Sequence, residues 1–155
     1  VTVIHAYTSG GALAVRERQD VVYREAPTGG TPTAAADPAP AGTASRQVTA
    51  DATMLFRYSA ITFNGHRIHY DAPYADEVDG YGGLVVYGPL HVTLMAHMAA
   101  DIHGQAPSRF SYRGRSPIFD DAPFMLHATE DDDGLSLWTA REGGPVAMQS
   151  KAGWS

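Results

Sequence analysis

At 155 residues, 44% of them hydrophobic and none of them cysteine, the chain can build a domain with its own core, and it excludes a disulfide framework, a thiolate nucleophile and a cysteine-built zinc site. A formal net charge of -6, with arginines scattered rather than striped, excludes a nucleic-acid-binding face. No apolar run nears the roughly 20 residues of a membrane span, and the start VTVIHAYTSGG lacks the basic-then-apolar order of a signal peptide, so a soluble, cytoplasmic chain is expected.

Residues 1–25 read as a hairpin. β-Branched and aromatic residues dominate from Val1 to Tyr7 and from Ala12 to Tyr23, and Gly10 and Gly11 supply the turn between them. Because Val1 already stands inside a strand pattern, a preceding segment is expected. Residues 26–47, containing APTGGTPTAAADPAPAGTAS, hold too little apolar surface to offset the entropy of ordering, and a flexible linker is expected there. The main domain then covers 48–155. It opens with an apolar segment around Met54 to Tyr58, followed by the polar block NGHRIHYD (Asn64–Asp71) and a short helix in APYADEVDG that ends at Gly80. GGLVVYGP reads as a compact apolar strand closed by Gly88 and Pro89. From Leu90 to His103, Leu90, Leu94, Met95, Met98 and Ile102 share one helical face behind Pro89, the one strong helix of the chain. PSRFSYRGR alternates like a strand, and the segment from Pro123 to Trp154 divides at DDDG and EGG into three antiparallel strands. One apolar helix followed by a meander implies an α+β fold in which an antiparallel sheet wraps around a long central helix.

The block NGHRIHYD admits three chemistries. His66, His69 and Asp71 are ligand types used by zinc and non-haem iron, but on an extended segment residues three apart point to opposite faces, so a shared metal requires a helix or tight turn. The second reading is two histidines satisfied by local hydrogen bonds. The third is an acid/base site. Elsewhere, His91, His97 and His103 on the central helix read as packing or surface residues, and Arg109, Arg113 and Arg115 as a solvated strand face or as phosphate contacts. DDDG lacks the ligand order of a calcium loop and reads as solvent-facing.

Set against the pattern Asp-x-Asn-Pro-x-His-x-Asp, NGHRIHYD places His69 on the histidine and Asp71 on the final aspartate, and here the chain resembles the MaoC-like hydratases and dehydratases. GGLVVYGPL resembles that family's strand ending in His-Gly, with Tyr87 in place of the histidine. The longer stretch LFRYSAITFNGHRIHYDAPYADEVDGYGGLVVYGPL looks like the branch of mesaconyl-CoA and itaconyl-CoA hydratases and 3-hydroxyacyl-thioester dehydratases. The resemblance covers roughly residues 46–155, while GALAVRERQDVVYREAP resembles the end of a preceding unit of the same kind. It implies a hot-dog fold, a coenzyme A or carrier-protein thioester as substrate, no metal and no redox cofactor. It also implies pairing, as a homodimer or with another hot-dog unit. The sequence departs from the pattern at Asn64, His66 and Arg67, which replace its aspartate, asparagine and proline.

Hydration of an enoyl thioester needs a base for water, a proton for the α-carbon and donors for an oxygen that becomes enolate-like. Asn64 cannot accept a proton near neutral pH, so His69 is expected to act as both base and acid while Asn64 positions water. The Gly88 N–H, at the amino end of the central helix, is the expected oxyanion donor. His66, Arg67, Tyr58, Tyr87 and Asp71 are the expected substrate contacts, with Arg67 suited to a phosphate and the two tyrosines to an acyl channel. The expected activity is hydro-lyase chemistry; a non-catalytic acyl-thioester-binding module and a hot-dog thioesterase stay open beside it.

Overall fold

The computed structural model describes residues 1–23 and 36–154. The chain divides into two compact units, Val1–Ala34 and Ala35–Ser155.

In the first unit, β1 (Thr2–Ser9) pairs antiparallel with β2 (Ala12–Asp20). Gly10 and Gly11 both take positive φ, 58° and 82°. That is the turn whose twist matches the strands it joins, and it is why the pair of glycines reads as a hairpin. The ends are tied by reciprocal bonds between Val1 and Val21, each 2.8 Å.

The second unit begins earlier than the sequence suggests. β3 (Ala44–Val48) lies mostly inside the stretch read as linker and pairs with β5 (Phe124–Asp131). The residues before it are fastened too: Ala39 N–H donates to the Gly144 carbonyl at 2.8 Å, and Trp138 Nε1 donates to the Pro40 carbonyl at 3.0 Å. Composition alone misled here, because backbone groups make these bonds whatever the side chains are. The part of the linker expectation on residues 24–35 lies outside the described residues.

α1 (Ala52–Thr62) starts at the Asp51 side chain, which accepts the Met54 amide at 2.8 Å. A 3-10 turn (Arg67–His69) and α2 (Ala72–Glu77) follow, and then α3 (Gly88–His103), which ends at Gly104 with φ 83°. The remaining strands are β4 (Arg109–Gly114), β5, β6 (Gly134–Ala140) and β7 (Val146–Gly153), and the sheet order is β3-β5-β6-β7-β4, antiparallel throughout. Alternate residues of β5 and β6, such as Leu126, Ala128, Leu135 and Leu137, are buried, and α3 packs across β4, β5, β6 and β7 with Leu90, Met95, Met98 and Ala99 inward. This is the hot-dog arrangement.

Two further expectations are corrected. GGLVVYGP is not a strand of the sheet: it is an extended connector with one isolated bridge, Val85 to Phe119. Ile102 is 41% exposed, so the buried face of α3 runs through His91 and Ala99 instead. No helix among the described residues is long and apolar enough to cross a membrane.

Candidate active site

The polar block is shaped by the end of α1. Phe63 takes the left-handed conformation (φ 53°) as its C-cap; Phe63 N–H bonds the Ala60 carbonyl and Asn64 N–H the Ser59 carbonyl, at 3.4 and 3.0 Å. These paired bonds reverse the chain and send it away from the helix axis. The Ser59 hydroxyl donates to the Asn64 carbonyl, and Asn64 Oδ1 accepts the His66 amide at 3.0 Å, closing an Asx turn. Tyr70 Oη donates to the Gly65 carbonyl at 2.9 Å and clips the loop shut.

The next three residues form a tight turn, not an extended segment, and this corrects the geometry assumed for a shared metal. The turn does bring His66 and His69 close, with ring centroids 5.6 Å apart and edge to face. Asp71 is engaged elsewhere. Its Oδ1 caps α2 by accepting the Tyr74 amide at 3.2 Å, and its Oδ2 accepts Arg67 Nε and Nη2 at 3.0 and 2.8 Å. Each partner holds the other ionised, the Asp71 carboxyl below and the Arg67 guanidinium above its ordinary range, chiefly through that bond. The guanidinium also lies 4.0 Å over the Tyr74 ring. Among the described residues, no group of three His, Asp or Glu side chains is placed to hold a metal ion.

His69 is buried, at 8% exposure, and its surroundings fix its chemistry. Val85 N–H donates to the Ile68 carbonyl at 2.9 Å, and His69 Nδ1 lies 2.7 Å from the Val85 carbonyl oxygen. Since a carbonyl only accepts, Nδ1 carries the hydrogen in the neutral ring and Nε2 is left with its lone pair. Burial, reinforced by the nearby His66, holds the ring's proton affinity below the ordinary imidazole value even though the Val85 bond opposes this. The ring is therefore neutral and basic at Nε2 near neutral pH.

Tyr87 lies flat against His69, with centroids 3.6 Å apart and planes at 22°, and Tyr58 tilts against Tyr87 at 5.2 Å. Tyr87 also ends the extended connector and precedes Gly88, the first residue of α3. Leu90 and His91 N–H groups return to the Tyr87 carbonyl, whereas no protein acceptor takes the Gly88 N–H among the described residues. Gly88 borders a cavity of about 310 Å³ with Val85, His91, Ser116 and Met148. Val85 thus connects the two halves: its carbonyl holds His69, and it borders the cavity onto which Gly88 faces. The larger depression, about 550 Å³, lies on the outer sheet face around Trp138 and Tyr112, away from this block.

The structure brings His69, Tyr87 and Tyr58 together, with His66 edge-on to His69, while Gly88 follows Tyr87 in the chain and borders a cavity that His69 does not line. Asn64 lies on the same loop, but no hydrogen bond joins its side chain to His69. Arg67 and Asp71 bond each other. Of the other histidines, His91 is buried with Nδ1 2.9 Å from Thr139 Oγ1, His97 is exposed, and His103 stacks on Trp154 at 3.9 Å. Arg109, Arg113 and Arg115 are exposed on the strand side. Sequence reasoning missed Val85 and Ser59, which act through a backbone carbonyl and a helix-end hydroxyl that leave no signature in residue type.

A family model described as hydroxyacyl-thioester dehydratase type 2 matches residues 1–120. Mesaconyl-C(4)-CoA hydratase of Chloroflexus aurantiacus is 41% identical over 152 residues, which is 97% of this chain and 54% of that protein. The mitochondrial hydroxyacyl-thioester dehydratase type 2 of Schizosaccharomyces pombe is 38% identical over 91 residues, 57% of this chain and 29% of that protein. The chain therefore spans about half the length of the first relative and less of the second. The crystal structure of HtdX from Mycobacterium tuberculosis superposes with a TM-score of 0.75 over 99% of this chain and 61% of that one; at 18% identity it speaks for the fold alone. With a match across the whole polar block and the central helix, the chain belongs to the hydroxyacyl-thioester dehydratase type 2 family, on a hot-dog fold.

Proposed function

We propose that this chain hydrates enoyl thioesters, or dehydrates 3-hydroxyacyl thioesters, on coenzyme A or a carrier protein, through His69. The observation that carries the reading is the bond from His69 Nδ1 to the Val85 carbonyl, which leaves Nε2 as the basic nitrogen of this buried ring. In the hydration direction Nε2 takes a proton from water as the oxygen bonds to the β-carbon. The electrons of the double bond move toward the thioester carbonyl, where the Gly88 N–H steadies the enolate-like oxygen. The imidazolium then returns its proton to the α-carbon, so water is added with no net change at the protein. The step needs neither metal nor redox cofactor. Asn64, whose Oδ1 is occupied by the His66 amide, has its NH2 group available to orient water. Tyr58 and Tyr87 supply apolar walls for the acyl chain. His66 and Arg67 are exposed beside His69, where Arg67 and Asp71 as a pair can meet the polar carrier.

Exposed apolar side chains support a pairing surface. On and near α1, Phe56, Ile61 and Phe63 are 62%, 73% and 96% exposed, and the relatives are longer chains. We therefore propose a second hot-dog unit as partner, either another copy or one elsewhere in a longer chain.

The test is to incubate the protein with crotonyl-CoA and with mesaconyl-CoA, reading enoyl absorbance and free thiol in one tube. The expected result is loss of absorbance without thiol. Thiol release would make the chain a thioesterase. Silence from both, once a second hot-dog unit is supplied, would make it a binding module.

A further inference from the structure

Tyr87 carries more than an apolar wall requires. It is 1% exposed, and its Oη is buried without a hydrogen-bond partner among the described residues. A buried phenol with nothing to bond is disfavoured against a phenylalanine of the same shape, so packing alone does not account for a tyrosine here. Its two ends meet the two parts of the proposed acid/base site. The ring covers the His69 imidazole nearly face to face, 3.6 Å away, and its backbone lies two residues from the carbonyl that holds His69 Nδ1. At the far end, the Ser59 side chain is close enough to influence the phenol oxygen without completing a bond to it, and the Ser59 hydroxyl donates to the carbonyl of Asn64.

Resting on the acid/base reading of His69, we propose that Tyr87 is a positioning residue that clamps the His69 ring by stacking and, through Ser59, sets the loop that carries Asn64. A single hydrogen bond at Nδ1 leaves an imidazole free to rock about that bond; a flat ring against its face removes the freedom and keeps Nε2 aimed in one direction. The Ser59 hydroxyl can accept from Tyr87 Oη while donating to Asn64, so a small closing movement completes a chain from phenol to loop. Proton acceptor and water-orienting amide then move as one unit.

The test uses the full chain with Tyr87→Phe, Tyr87→Leu, Ser59→Ala and the double variant Tyr87→Phe/Ser59→Ala. NMR follows the His69 ring titration and the Asn64 amide shift, and the pH profile of kcat/KM is measured where the wild type is active. In Tyr87→Phe the stack remains: the His69 titration stays at the wild-type midpoint, the Asn64 amide shifts, and kcat falls about tenfold with KM little changed. In Tyr87→Leu the ring is uncovered and its midpoint rises toward the ordinary imidazole value, because burial is what lowers it. The double variant falls no further than either single one, since both break the same chain. An unchanged His69 midpoint in a folded Tyr87→Leu overturns the clamp. Additive losses, or an unmoved Asn64 amide in Tyr87→Phe, overturn the link through Ser59 and are readable even if the Leu variant fails to fold. The titrations need no substrate, so a wild type without hydratase activity would sink the proposed function and leave this test standing.

Discussion

A carbonyl oxygen cannot donate a hydrogen bond, and this assigns the proton on His69. With Nδ1–H spent on Val85, the acid/base work proposed for this ring would fall to Nε2, and the amide of Asn64 adds no second ionisable group. Burial lowers the ring's proton affinity, so the neutral, base-competent form persists to lower pH than a free imidazole would allow. The acid limb of kcat/KM for hydration should therefore fall below the ordinary imidazole value, as a single titration. His69→Ala should lose at least about a hundredfold in kcat, the scale of general acid/base catalysis, and the limb with it. A near-normal rate in that variant, or a limb unchanged by it, would remove His69 from the chemistry. Arg67 and Asp71 behave differently: each is the other's partner, so their first role is to hold the turn and the start of α2.

At the scale of elements, the reversal at the end of α1 determines where Asn64 and His69 go, and it does so with an unfavourable residue. Phe63 holds φ 53° in the position that glycine usually fills, while its ring is 96% exposed and touches little. Left-handed backbone costs a side-chain-bearing residue about 1–2 kcal/mol, of which the extra freedom of an unfolded glycine gives back part. Phe63→Gly should stabilise the isolated chain by roughly 0.5–1 kcal/mol in urea denaturation. Destabilisation instead would mean that the phenyl ring packs against a partner in solution. The same helix shows why the sequence told only part of the fold. β4 to β7 and α3 announce themselves by alternation and by a continuous apolar face, but in TMLFRYSAIT the apolar positions fall all round the axis. Only Leu55 and Ser59 are buried, so no period marks the helix. GGLVVYGP failed in the opposite way: its residues favour a strand, yet among the described residues its backbone finds one isolated bridge to Phe119 and a Val85 amide bond to Ile68 rather than a ladder. Asn64, His69 and Gly88 could be singled out as candidates because side-chain chemistry and a helix start leave marks in residue type, whereas the Val85 carbonyl that holds His69 depends on tertiary placement.

Across the whole second unit, stability depends on a sheet closing over α3, and His91 stands at that junction. It projects from the first turn of α3, is 3% exposed, tilts against Phe124 with ring centroids 5.0 Å apart, and bonds Thr139 Oγ1 on β6. Burial lowers its pKa from 6.5 to about 4, so the folded protein keeps it neutral where the unfolded chain would protonate it. The sign follows: stability is full above about pH 6.5, falls as pH drops because the unfolded state binds the extra proton, and stops falling from this cause below about pH 4. The integrated loss is about 3 kcal/mol, a large share of an ordinary domain's stability. His69 and His127, both also lowered by burial, add in the same direction. Replacing both partners, His91→Leu with Thr139→Val, removes the buried base without stranding a hydroxyl. Urea denaturation at pH 7.5 and pH 5 should show the wild type losing distinctly more stability over that interval than the double variant. Equal losses would mean that His91 is protonated without unfolding, and that the contact between α3 and β6 tolerates a charge.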